Sequence, residues 1–223
     1  MLREIDLKEI SDGKLYGCND MVKADCNGCV GCSVCCHGMG NSIVLDPYDV
    51  YRLSKGLTAS FEQLLTSALE LNVVDGIILP NLKMAGKEEA CSFLNDKGRC
   101  SIHPYRPGIC RLFPLGRFYE KDSFQYFLQI HECPKPGKSK VKVKKWMDTE
   151  NLKQYEDYIC KWHYYLKMLQ ERAMTTESDE LRKQLSMFVL QIFYLAPYDF
   201  EQDFYGQFEM RLAKAKEITD KVL

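Results

Sequence analysis

Cys26, Cys29, Cys32, Cys35 and Cys36 stand within eleven residues, separated by three x-x gaps and ending in an adjacent pair. A cysteine that merely fills space is usually single, and no apolar periodicity accompanies these five. Gly28 and Gly31 sit inside the gaps, where the backbone must bend tightly. A C-x-x-C loop folds back so that its sulfurs face one point, as a tetrahedral thiolate metal site requires. Farther along stand Cys91, Cys100, Cys110 and Cys133. The nine thiols suffice for two four-ligand sites with one spare. In extended chain, adjacent side chains point to opposite sides. Cys35 and Cys36 are therefore expected to serve different ligand sets, or one of them to stand outside the coordination shell.

Two metals suit this donor set. Zinc takes four sulfurs, or three sulfurs and a nitrogen that His103 can supply. An iron–sulfur cluster suits successive C-x-x-C steps with a distant fourth cysteine, and proline follows that fourth ligand in bacterial ferredoxins, as Pro134 follows Cys133. Both Cys26/Cys29/Cys32 and Cys29/Cys32/Cys35 fit the triplet, so two registers are open. A four-thiolate site is anionic with either metal, and Arg99, Arg106 and Arg111 lie beside the second cysteine group to offset that charge.

Cys29-x-x-Cys32-x-x-Cys35-Cys36, Cys91-Ser-Phe-Leu, Gly98-x-Cys100-x-Ile-His103, Arg106-Pro107-x-x-Cys110-Arg111 and Phe113-Pro114 together resemble the YkgJ-type cysteine-cluster proteins, the CxxCxxCC family described as zinc- or iron-chelating. The resemblance covers roughly residues 26–134, and Cys26 precedes its pattern. Larger relatives include flagellin lysine methylases, which contain the same cysteine motif and an iron–sulfur cluster. The resemblance therefore implies an iron–sulfur cluster, [4Fe-4S], ahead of zinc.

The elements that must position these thiols follow from the rest of the chain. Residues 1–25 are polar and turn-prone, and Cys18 reads as a free thiol. Asp46-Pro47 opens a helix running to about Lys55 and ending at Gly56, and Ser60 to Gln63 is a capping box for a second helix. Val73–Leu79 reads as a strand broken by Asp75-Gly76 and closed by Pro80. Asn95–Gly98 turns a hairpin that brings Cys91 and Cys100 onto neighbouring strands. The stretch from His103 to Pro114 is irregular, and Arg117–Glu120 with Ser123–Ile130 forms a second hairpin, turning at Lys121-Asp122. Residues 135–145 hold six lysines and mark a boundary. Beyond it Leu152, Tyr155, Ile159, Trp162, Leu166, Leu169 and Ala173 recur at helical spacing. Thr176 to Asp179 is a capping box for a second helix through Leu185 and Val189 that stops near Pro197. Phe200, Phe204, Phe208, Leu212 and Ala215 define a third. Cys160 and His163 read as packing residues of the first of these helices. The expected fold is α+β: a small irregular cysteine-rich metal-binding domain with short hairpins and helices (1–134), a lysine-rich linker (135–145) and a C-terminal three-helix unit (146–223).

Composition bounds the function. The 223 residues carry a net charge of −1, so no global electrostatic signature of nucleic-acid binding exists, and a nucleic acid is not an expected partner. The charged first ten residues do not form a signal peptide, and the longest apolar stretch, Met187 to Pro197, is too short to span a bilayer. The expected compartment is the cytoplasm, without a membrane partner. Thiols stay reduced there, and the odd total of eleven argues against full pairing. Three functions compete. The first is a non-catalytic cluster protein with a structural, electron-transfer or redox-sensing role and a redox or protein partner. The second is a structural zinc protein whose helical tail binds a partner. The third, implied by the larger relatives, is a protein-modifying methylase, against which no G-x-G-x-x-G loop or nucleotide site appears.

Overall fold

A computed structural model describes residues 6–25, 29 and 32–222. In chain order the elements are α1 (Leu7–Ile10), β1 (Ser11–Tyr16), β2 (Met21–Asp25), α2 (Pro47–Leu57), α3 (Phe61–Ser67), β3 (Leu69–Val74), β4 (Ile77–Leu82), β5 (Met84–Ala85), β6 (Ala90–Cys91) and α4 (Gly108–Leu112). They continue with β7 (Leu115–Glu120), β8 (Ser123–Gln129), β9 (Ser139–Lys142), α5 (Val143–Met147), α6 (Leu152–Thr175), α7 (Asp179–Leu190) and α8 (Phe204–Val222). The class is α+β, with small antiparallel sheets and C-terminal helices. Among the described residues, no helix is long and apolar enough to cross a membrane.

The helix starts follow local chemistry. Asp46 caps α2 by accepting the Asp49 N–H, and the Asp49 side chain returns the bond to the Asp46 N–H, with Pro47 preset in the first turn. Ser60 and Gln63 close the same reciprocal box on α3. The end of α2 differs from expectation. The helix runs through Gly56 to Leu57, and Thr58 takes the left-handed conformation at φ 51°. Gly56 is small for another reason: a Cβ there would stand 2.4 Å from the Tyr105 ring. The cap of α7 is Ser178, whose side chain accepts the Leu181 N–H, and the helix continues through a π-helical turn over Gln191–Leu195 before Pro197. The third tail helix begins at Phe204, four residues after Phe200.

The strands correct two expectations. Val73–Leu79 is not one broken strand. Asp75 and Gly76, both at positive φ, turn β3 into β4, and Pro80 lies inside β4 opposite Leu71. Its carbonyl accepts the Leu45 N–H at 2.8 Å, which lays the segment before α2 along the hairpin. Residues 1–25, read as turn-prone, supply two strands. β1 joins the β7–β8 hairpin as a third strand, and β2 pairs with β9 inside the lysine-rich stretch. The β7–β8 turn falls at Lys121-Asp122 as expected.

One apolar core runs through the molecule. It joins Val22, Leu45, Leu53, Ile77 and Leu82 to Val143, Tyr155, Trp162, Leu169, Val189, Phe193 and Phe208. Inward-facing Val143 and Met147 are fully buried, so the lysine-rich stretch contributes to this core on one face. The long α6 lies across the site region and presents Tyr155, Ile159 and Trp162 inward.

Candidate metal centre

Four separate segments bring cysteines to one cavity. Val34–Cys36 forms a single 3-10 turn, closed by the Cys36 N–H on the Ser33 carbonyl. A bridge between His37 and Ala90 and a bond from the Gly38 N–H to the Glu89 carbonyl hold that turn against β6, which carries Cys91. Cys100 follows the Asn95–Gly98 turn. There the Asn95 side-chain oxygen accepts the Lys97 and Arg99 N–H groups, and Cys100 bridges Leu94. The hairpin expected here is reduced to that bridge and its neighbouring bonds. Cys110 stands on α4, which Asp49 secures by accepting the Gly108 N–H at 2.7 Å.

Cys35, Cys36, Cys91, Cys100 and Cys110 all line a cavity of about 530 Å³. The expectation that Cys35 and Cys36 face different ligand sets rested on extended chain. The turn removes that premise, and both side chains reach the same cavity and bond to each other.

The thiols tune one another. A hydrogen bond from Cys36 holds the Cys35 thiol below its ordinary range, with help from the Arg106 guanidinium and His37. The same bond, with burial, pushes Cys36 up. Burial raises Cys91 and Cys100, and it raises Cys110, which also faces the Asp49 carboxyl. Most of these sulfurs therefore keep their protons until a cation displaces them.

The cavity lining also holds groups that the cysteine pattern does not reveal: Asp46, Asp49, Arg117, Tyr119 and His163. Asp46 Oδ1 accepts the Tyr158 hydroxyl at 3.0 Å, and burial raises both carboxyls, Asp49 to about 7. Tyr155 lies between two cations, with Arg111 5.4 Å and Arg117 5.7 Å from its ring centroid. Arg111 is 3% exposed and bonds Thr149 Oγ1. It is structural in place and adds positive charge behind Cys110. Asp46 and Asp49 are legible only as helix caps, because nothing in their spacing points beyond the first turn of α2. His163 stacks on Tyr119 with centroids 3.5 Å apart and an interplanar angle of 6°. It packs as expected, although it also faces the cavity.

The other expected ligands that fall among the described residues do not line this cavity. Cys26 falls outside the described residues. Cys29, at φ 59°, and Cys32 form a turn whose Cys29 carbonyl accepts Arg99 Nη1 at 2.8 Å, and neither lines the cavity. Arg99 is thereby tied to the first cysteine group. Cys133 does not line the cavity either, and its carbonyl accepts Lys138 Nζ at 2.7 Å. His103 is exposed and outside the cavity wall. Cys18 is a free, partly buried thiol. Cys160 is not core: it is partly exposed on α6 and its Sγ contacts the Asp122 carbonyl at 3.0 Å.

Five sulfurs around one partly enclosed space match the donor chemistry of zinc or an iron–sulfur cluster in kind and number. Among the described residues no group of three or more His, Cys, Asp or Glu side chains is close enough to hold a metal ion as it stands. The thiols share a wall without converging on a point. No curated protein and no solved structure matches the chain. Residues 26–134 match the CxxCxxCC family, described as "Putative zinc- or iron-chelating domain". The matched span contains every thiol of the cavity, and over that span the chain is similar to the CxxCxxCC family.

Proposed function

We propose that the chain is a non-catalytic metal-centre protein whose centre is an iron–sulfur cluster held by thiolates of Cys35, Cys36, Cys91, Cys100 and Cys110, four of them as ligands and the fifth in support. The observation that carries this reading is the cavity itself: five cysteines from four segments line one space of about 530 Å³. Four thiolates suit an iron–sulfur cluster, the group that the resemblance to the cysteine-cluster family implies ahead of zinc.

When bound, such a group supplies one-electron chemistry and a crosslink between distant chain segments. The chain's own residues do the rest. Arg106 faces Cys35 and Cys100 and, with Arg111 and Arg117 behind it, offsets the charge of the thiolates. Ile43, Leu45, Leu79 and Leu82 line the apolar side of the cavity and limit water there.

Protein prepared under nitrogen, with iron, zinc and acid-labile sulfide measured alongside absorption and EPR spectra, tests the reading. Iron and sulfide in comparable amounts, with a visible absorption that bleaches on reduction, are expected. Colourless protein with stoichiometric zinc overturns it in favour of a structural zinc site.

A further inference from the structure

The lysine-rich stretch has a structural organisation that its sequence does not display. In the β2–β9 ribbon, Val22 pairs with Val141, and Val22 and Ala24 are fully buried. Alternation along each strand then sends Lys23, Lys140 and Lys142 to the opposite, exposed face. Lys144 and Lys145 continue it, exposed, into α5. Among the described residues, none of these lysines has a carboxylate ion-pair partner, whereas Lys161, Lys167 and Lys221 on the helical tail do. In a chain of net charge −1, this is a segregated positive face.

A groove adjoins it. Lys23, Lys135 and Lys138 border a concavity of about 310 Å³ whose floor includes Gln129 and Ile130. Ile130 is 42% exposed. Gln129 also lines the thiol cavity, its Nε2 donating to the Pro114 and Leu115 carbonyls. Groove and thiol cavity thus share Gln129 as a lining residue.

We propose that the β2–β9 face and its groove dock an acidic segment of a partner protein. Charge complementarity selects the partner: like-charged lysines in rows attract carboxylates and speed encounter. The groove adds a concave seat with an apolar patch at Ile130. No aromatic side chain lies among the lysines or groove residues named, so the base-stacking platform of single-stranded nucleic-acid binders is missing from this face. Docking here places the partner beside the centre whichever metal that centre holds.

Fluorescently labelled poly-L-glutamate and a single-stranded oligonucleotide of equal length are the probes, titrated into the full chain at low and high salt. The polyglutamate should bind at low salt and weaken as salt rises. The exposed-site variant K23E/K140E/K142E should lose about tenfold or more in affinity, with unchanged circular dichroism. K214E/K216E, on exposed positions of α8, should bind as the parent does. Absence of polyglutamate binding, equal loss in the α8 variant, or tighter binding of the oligonucleotide would each overturn the proposal, the last in favour of a nucleic acid.

Discussion

Asp49 Oδ1 accepts the Gly108 N–H at 2.7 Å across 59 residues of sequence, inside the protein. One carboxyl therefore closes the capping box of α2 and fixes the start of α4, the helix that carries Cys110. The position of the last cavity thiol depends on a helix cap sixty residues away.

Replacing Asp49 by Ala removes both bonds and leaves the buried Gly108 N–H without an acceptor. A loss of about 1–3 kcal/mol is expected, read as a lower urea midpoint. Asp49→Asn retains an oxygen at the same place and removes a carboxyl that burial already penalises. It should cost less than half as much. Equal losses in the two variants would show that charge, not the hydrogen bond, matters here.

Two glycines separate rigid from yielding surroundings. A Cβ on Gly108 would stand 2.1 Å from the Tyr155 hydroxyl, which is fully buried between Arg111 and Arg117. Gly108→Ala should cost about 1–3 kcal/mol by overpacking. A Cβ on Gly56 meets the Tyr105 ring, but Tyr105 is 38% exposed and can swing outward. The gain from replacing glycine within α2, up to about 1 kcal/mol, offsets that movement. Gly56→Ala should therefore destabilise less than Gly108→Ala in thermal melts, and the reverse order would contradict the packing described.

His163 gives the fold a pH dependence. Burial against Tyr119 lowers its pKa to about 4, with Lys167 and Arg117 adding repulsion. Between its ordinary value of 6.5 and about 4, the unfolded chain binds the proton and the folded chain does not. Stability is thus unaffected by this group above about pH 6.5 and falls as pH drops through the window, by on the order of 2 kcal/mol. In His163→Gln the difference in urea midpoint between pH 7 and pH 4.5 should shrink. An unchanged difference would place the proton-linked group elsewhere.

Much of the scaffold was legible where local chemistry decides. The Asp46 and Ser60 caps, the Lys121-Asp122 turn and the apolar faces of the tail helices each follow from short-range rules. The failures share a cause. Gly56 looked like a helix terminator because the approach of Tyr105 comes from 49 residues away and leaves no local mark. Val73–Leu79 looked like a strand because its turn interrupts an apolar run whose first half pairs with its second. The lysines of 135–145 read as a linker, whereas the Val22–Val141 pairing and the burial of Val143 place one side of that stretch against the core. The site was half legible: cysteine spacing pointed to all five cavity thiols. It could not separate them from Cys29, Cys32 and Cys133, nor show that Asp46, Asp49 and His163 complete the wall.

Metal content of anaerobically purified single-cysteine variants tests the central claim most directly. Cys91→Ala and Cys110→Ala should each lose most of the metal that the parent retains, while Cys160→Ser, whose thiol lies against the Asp122 carbonyl outside the cavity, should keep it all. Full metal retention in both cavity variants would contradict a centre at these thiols.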